Sequence, residues 1–440
     1  MKELNLTRLA TPIFFDMLLR TLTLIINTIM VAKVDVNLVG AMGAGNQIFN
    51  LFVTVFSFLS VGCSVVVAQS LGARKINLAT RAIHISLSFN AILGLICAAF
   101  IFLNTHKALE LLQIPPEVIE DSFKYLHILS LALFLEALGI VIAAIVRVKN
   151  YAFAIMLISA FMNILTIFGN AIALFGLFGL PNFGLSGVAI STVFARGVGI
   201  ILLMYVLVKI AKVHIFFGLF FKFSLDILSK ILKVGLPSAG ENLLWIGQYM
   251  VAFSFVASMG EASLSVQTIY FQMSMFIFLA ATSISIANEI IIGHLVGACE
   301  FDKAYQRAFR SLKIGALITW VVLFIFYLSR EEIMNSLNLT QELKSIMRPL
   351  FTLSLVLESG RTFNIIMVNS LRASGDARFP FIMGALFMWG VSLPIGYYLG
   401  ITLEYGIIGV WIGFCVDEWA RALANTLRWR SKKWQLKRLV

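Results

Sequence analysis

The chain has 440 residues, of which 60% are hydrophobic and only 13% charged, with a mean hydropathy of +0.94. Soluble domains carry roughly a quarter charged residues, so a cytosolic enzyme, a secreted disulfide scaffold and a single-anchor receptor are excluded. A net charge of +12 would suggest a nucleic-acid partner in a soluble protein; here it must first be set against membrane orientation.

In chain order, Lys2 and Arg8 precede an apolar run that contains Asp16 and Arg20. That run outlasts a signal-peptide core and reads as a retained first span. Runs of spanning length lie at 9–32, 45–71, 83–104, 123–147, 153–178 and 185–210, then at 235–259, 265–296, 311–329, 349–372, 379–400 and 406–428. About 20 residues cross a bilayer as a helix, so the expected fold is an all-α polytopic membrane protein with twelve transmembrane helices. Between the two sets, Lys209–Lys233 mixes Phe and Leu with Lys and reads as an interfacial amphipathic helix. The expected division is therefore a six-helix lobe over 1–210, a linker over 211–234 and a second lobe over 235–440 with a basic tail.

Cys63, Cys97, Cys299 and Cys415 lack C-x-x-C spacing, and the five histidines are scattered. Neither a disulfide framework nor a firm metal site is indicated. A membrane enzyme would need His/Asp or Ser/Lys at catalytic spacing, and no such pattern is present, so no enzyme is expected.

Cytoplasmic loops are enriched in Lys and Arg. With both termini inside, 24 of the 34 basic residues fall in inner segments, six in outer loops, and Arg20, Arg196, Arg361 and Arg421 within spans. Orientation thus accounts for the basicity without nucleic acid.

The chain also repeats itself. A shift of 225 places Pro12 on Pro237, Gln47 on Gln272, Gly72-Ala73 on Gly297-Ala298 and Arg147 on Arg372. Gly184–Ile190 matches Gly406–Ile412 at a shift of 222. Six spans per half return each repeat to its starting side, which gives parallel, pseudo-symmetric lobes and argues for a transport path between them.

Several segments carry a family resemblance: PIFFDMLLRTLTLIINTIMVAKV in the first span, the V-x-x-Q-x-x-G-A pattern of Val66–Ala73, NILTIFGN from Asn163, VGACEFDKAYQRAFRSLKIG from Val296, and L-R-x-S-G-D at Leu371–Asp376. In these the chain resembles bacterial transporters of the multidrug and toxic compound extrusion (MATE) family. The resemblance implies two six-helix lobes forming a V-shaped cleft in the inner membrane. It also implies a monomer that exports small amphipathic or cationic compounds in exchange for inward H⁺ or, less favoured, Na⁺, with no other cofactor. Asn27 and Asn170 stand where family members often have Asp, and Trp245 and Arg361 stand where another subgroup has carboxylates. A flippase for a lipid-linked glycan is the alternative.

Asp16, Glu136, Glu241, Glu289, Glu358, Asp417 and Glu418 fall within spans. Each ionisable group costs on the order of 2.5–3.5 kcal/mol to insert at mid-bilayer, so these should pair or face water. Glu241, Asp16, Glu136 and Glu358 are the candidates for ion coupling. Asp16 and Glu241 are register mates, each four residues after its proline. Arg20 with Glu136 and Arg196 is one expected cluster; Glu358, Arg361, Asp417, Glu418 and Arg421 form the other. By the resemblance, Asn27, Asn163, Thr166, Asn170 and Thr192 map to a polar pocket in the first lobe. Glu289 and His294 read as interfacial.

Overall fold

The computed structural model describes residues 4–111, 114, 116–179, 181–220, 222 and 224–440. Lys2, and Phe221 and Phe223 of the expected linker, lie outside these residues. The long helices are α1 (Leu6–Ala32), α2 (Val36–Gly72), α3 (Ile76–Leu111), α4 (Pro116–Leu129, continued by Leu131–Val148), α5 (Ala152–Phe175) and α6 (Gly184–Tyr205). They continue with α7 (Leu225–Ala257), α8 (Glu261–Gly297), α9 (Phe301–Leu328), α10 (Gln341–Ser374), α11 (beginning as Arg378–Gly384 and reaching Thr402) and α12 (Gly406–Arg430).

Among the described residues, nine of these helices are long and apolar enough to cross a membrane. The other three, α7, α10 and α12, carry Glu241, the Glu358–Arg361 pair, and Asp417, Glu418 and Arg421. Charge, and not length, lowers their hydropathy. Helices are the expected solution because a backbone in hydrocarbon must satisfy every N–H and C=O internally. Large apolar side chains such as Ile92, Leu95, Phe100 and Leu103 on α3 are exposed, as a lipid-facing stripe requires.

Helix irregularities have local causes. Pro12 and Pro237 sit inside α1 and α7, where each ring removes one N–H from the ladder. Asn104 leaves helical φ/ψ in α3, at the end of the apolar run. In α11, Ala385–Ser392 and Tyr398–Thr402 widen to i→i+5 turns around Leu393–Tyr397. Pro394, which cannot donate to the carbonyl four residues back, lies at this point. Gly375 ends α10 at φ 97°, and a Cβ there would strike the Lys437 carbonyl.

Two compact units result. The first comprises chiefly residues 11–67 and 75–235, and the second residues 236–440 together with Asn5–Ala10 and Ala68–Arg74. Phe56, Leu109, Leu126 and Leu133 lie in the core of the first; Leu350, Leu357, Trp411 and Phe414 lie in that of the second. The repeat reaches individual hydrogen bonds: Ser60 donates to the Ile140 carbonyl at 3.3 Å, and Ser285 to the Ile365 carbonyl at 2.9 Å. Donor and acceptor are each displaced by 225 positions.

The connecting segment corrects one expectation. In place of an interfacial amphipathic helix over Lys209–Lys233, Val206–Ile210 completes α6 and Phe217–Phe220 forms one helical turn. Leu225 already begins α7. The segment is held on α3, where the Phe216 N–H donates to His84 Nε2 at 3.0 Å and Ser88 donates to the Phe220 carbonyl at 3.3 Å. These fixed points leave no uninterrupted stretch for a separate surface helix.

Candidate functional sites within the two units

Each unit ties its first helix to its fourth with an ion pair at equivalent positions. In unit 1, Arg147 Nη2 meets Asp16 Oδ2 at 2.6 Å; in unit 2, Arg372 Nη2 meets Glu241 Oε2 at 2.8 Å. Acid and base are 131 residues apart in both cases. Arg20 adds a second contact to Asp16, Nε to Oδ1 at 3.2 Å, and Arg372 donates to Asn369 Oδ1 at 3.0 Å. Asp16 and Glu241 are both buried. Asp16 and Glu241 are thus each paired across helices, and Asp16 has, besides the Arg20 that helix spacing suggested, a second and shorter contact with Arg147.

A second repeated pair runs from the fourth to the sixth helix of each unit, with its charges exchanged. Unit 1 pairs Glu136 on α4 with Arg196 on α6. At the matching positions, unit 2 has Arg361 on α10 and Glu418 on α12, with Arg361 Nε 3.7 Å from Glu418 Oε1. The shifts are the same 225 and 222 that relate the corresponding helices.

In unit 2 this pair belongs to a larger buried network. Arg361 Nη1 donates to Glu358 Oε1 at 2.9 Å and to Ser274 Oγ at 2.7 Å; Ser274 in turn donates to Glu358 Oε1 at 2.5 Å. Arg421 grips Asp417 through Nε and Nη2, both at 2.7 Å, and reaches Glu418 Oε1 at 2.9 Å. Asn364 donates to Glu418 Oε2 at 2.8 Å, and Asn425 donates to Asn364 Oδ1 at 3.0 Å. Gln248 Nε2 bonds Ser392 Oγ at 2.8 Å and lies 3.4 Å from Asp417 Oδ2. None of the five charged side chains is more than 5% exposed. Three carboxylates face two guanidiniums, so full ionisation would leave one negative charge of this group buried and unbalanced.

Unit 1 has the opposite imbalance. Arg20, Arg147 and Arg196 accompany only Asp16 and Glu136. Arg20, Glu136, Ser159 and Arg196 line one cavity whose other walls, among them Leu135, Ile155, Met162 and Leu203, are largely apolar. The expected Arg20–Glu136–Arg196 grouping is thus present around a cavity, with Glu136 bound to Arg196 and Arg20 bound to Asp16.

The polar pocket of unit 1 is only partly assembled. Asn170 Nδ2 donates to Asn27 Oδ1 at 3.0 Å. Thr166 and Thr192 spend their hydroxyls on the Met162 and Val188 carbonyls one turn back, and Asn163 Nδ2 is buried without a partner among the described residues. Trp245 packs beside Tyr249 and Phe271 in an aromatic row. Glu289 and His294, expected at the interface, are both buried in unit 2, because α8 continues at full length between its neighbours to Gly297.

Sequence reasoning missed Ser274, Gln248, Asn364 and Asn425, neutral residues with no charge cost to draw attention. It also left Arg147 and Arg372 among the loop cations. Their signal was available: both are register mates, as are Asp16 and Glu241, so an equal acid–base spacing in each half pointed to equivalent pairs.

The MatE family model matches twice, over residues 12–172 and 237–398, so the two matches begin 225 positions apart. An uncharacterized transporter of Bacillus subtilis, YisQ, is 35% identical over 98% of this chain and 95% of its own length. The probable multidrug resistance protein NorM of Thermotoga maritima is 25% identical over 98% of this chain and 93% of its own. A solved outward-facing multidrug resistance MATE transporter superposes with a TM-score of 0.89 at 21% identity, covering 97% of this chain and 95% of that one. A MATE structure in the bent conformation gives 0.89 at 22%, covering 97% and 94%. These likenesses establish the fold.

Proposed function

This chain belongs to the MatE family of membrane transporters, and we propose that it exports amphipathic organic compounds by alternating access in exchange for inward protons. The proposed setting is the inner membrane, and the 24-to-6 distribution of basic residues supports cytoplasmic termini. The observation that carries the proton is the unit 2 network of Glu358, Arg361, Asp417, Glu418 and Arg421. One proton removes its surplus charge. Both oxygens of Asp417 and of Glu418, and Oε1 of Glu358, already accept from guanidinium, hydroxyl or amide donors, which leaves them poorly arranged to surround Na⁺.

Coupling then has a physical basis. A proton leaving Glu358 adds a buried charge that only a different arrangement of α8, α10 and α12, or access to water, can compensate. Protonation state and conformation are therefore linked, and each biases the other. Proton release on one side of the membrane and uptake on the other would drive the cycle.

The test is substrate-dependent collapse of a pH gradient in energised inside-out vesicles containing the chain, in sodium-free medium. Collapse on addition of a transported amphiphile is the expected result. A strict requirement for Na⁺ would overturn the proton assignment.

A further inference from the structure

We propose that the unit 1 cavity between α1, α4, α5 and α6 binds the anionic headgroup of an amphiphile, with the guanidiniums of Arg20 and Arg196 as its recognition elements. The proposal rests on the transport reading and names the charge of the molecule that this site accepts. The resemblance implied amphipathic or cationic compounds; the charges in the cavity favour an anionic headgroup.

The argument begins with donors. Among the described residues, Arg20 makes one ion pair, through Nε to Asp16, so its terminal nitrogens remain for a ligand. Its side chain is 46% exposed although its Cα lies well within the first span. Arg196 uses Nη1 on Glu136 and keeps 28% of its side chain exposed. A guanidinium presents five N–H donors in a planar fork that matches carboxylate or phosphate, so each arginine can hold its protein carboxylate and still offer donors.

Charge and shape agree with this assignment. Among the residues that line the cavity, the two cations Arg20 and Arg196 exceed the single anion Glu136 by one, and a bound monoanion would remove the excess. The cavity, about 40 Å³, has room for roughly three waters or one small headgroup. Its walls of Ile140, Ala143, Ile158 and Ile200 would receive the first carbons of an apolar tail. A cationic headgroup at the same place would meet two guanidiniums. The equivalent pair in unit 2 offers no such site, because Arg361 and Glu418 are enclosed by Glu358, Ser274, Asn364 and Arg421.

The experiment is equilibrium dialysis of the purified full chain in phosphatidylcholine nanodiscs, with radiolabelled decanoate as probe and decylamine as a competitor of matched tail. It needs no ion gradient, so its outcome is independent of whether transport is proton-driven. Decanoate should bind saturably, unlabelled decanoate should displace it, and decylamine should not. Arg20→Gln, which leaves the Asp16–Arg147 pair in place, should weaken decanoate binding about tenfold, the loss expected for one charge-assisted contact. Arg20→Lys should lose less. Equal displacement by decylamine in the unchanged protein, or undiminished decanoate binding by a folded Arg20→Gln protein, would overturn the proposal. Titrating phosphatidylglycerol into the discs separates the sources of the same headgroup chemistry: displacement of decanoate identifies a bilayer lipid as ligand, and retention identifies a free amphiphile.

Discussion

Replacing Glu358 by Gln separates a proton-carrying network from one that merely clamps helices. Glu358 and Glu418 contact the same Arg361, through Nη1 at 2.9 Å and Nε at 3.7 Å, so their carboxylates lie within roughly 9 Å of each other across one guanidinium. Two unit charges at about 9 Å repel by ~2 kcal/mol at an effective dielectric of about 20, comparable to the roughly 1.5–3 kcal/mol that a hydrogen bond to a charged group contributes. Gln has the shape of a protonated Glu and can still accept from Ser274 and Arg361. If the surplus proton resides on Glu358, Glu358→Gln should change stability by less than about 1 kcal/mol. Asp417→Asn provides the contrast. Asp417 takes both of its 2.7 Å contacts from Arg421, and breaking a buried pair by removing one partner costs roughly 3–5 kcal/mol. Denaturation of the two purified variants in the same detergent, followed by tryptophan fluorescence, gives the comparison. Substrate-dependent collapse of the pH gradient in vesicles gives the function, which Glu358→Gln should abolish. The reasoning fails if Glu358→Gln is as unstable as Asp417→Asn, or if it remains stable and still couples substrate to proton flux.

The paired latches should behave alike: Asp16→Asn and Glu241→Gln should each destabilise the protein by about 1.5–3 kcal/mol, the usual worth of a hydrogen bond to a charged group, and double-mutant cycles with Arg147→Gln and Arg372→Gln should show coupling of the same sign. Independent, additive effects would show that neither ion pair contributes to stability. Gly297→Ala should cost about 1–3 kcal/mol, because the new methyl would meet the Gln69 carbonyl; Gly72→Ala should behave likewise against the His294 carbonyl. Unchanged melting temperatures would show that these backbones can separate freely. Between α9 and α10, the Arg348 guanidinium, bonded to Glu331 at 2.8 and 3.0 Å, holds that carboxyl below its ordinary range. A lowered folded-state value means that this contribution is present above the unfolded value and lost as pH falls through the folded one. Protection factors of the Arg330–Ser336 amides, taken against the intrinsic exchange rate at each pH, should therefore fall below about pH 4, and Arg348→Gln should remove that step; a step unchanged in the variant would assign it to another group.

Helical periodicity, span count and repeat register are properties of neighbouring residues and of copies of one pattern, so they were legible from the chain alone. That the charged residues of unit 2 need partners is legible on a related ground: their insertion cost in hydrocarbon leaves mutual pairing as a main solution. The partner of each latch was not assigned, because Arg147 and Arg372 fall at span ends, where a cation costs little and resembles an ordinary loop charge. The connecting segment was misread as a surface helix because its mixed Phe and Lys pattern is also satisfied by docking on His84 and Ser88 of α3.

The sequence by itself determined a polytopic helical membrane protein, its twofold internal repeat, and which ionisable groups must find partners. The tertiary structure decided which partners they find. It joined Asp16 to Arg147 and Glu241 to Arg372, exchanged the charges of the next pair between the units, and left a surplus of opposite sign in each. The physical reason is that register along a helix is set by local geometry. A salt bridge across helices depends on where separately folded segments cross, and there a few ångströms separate a clamp from a site that can receive a proton or an anion.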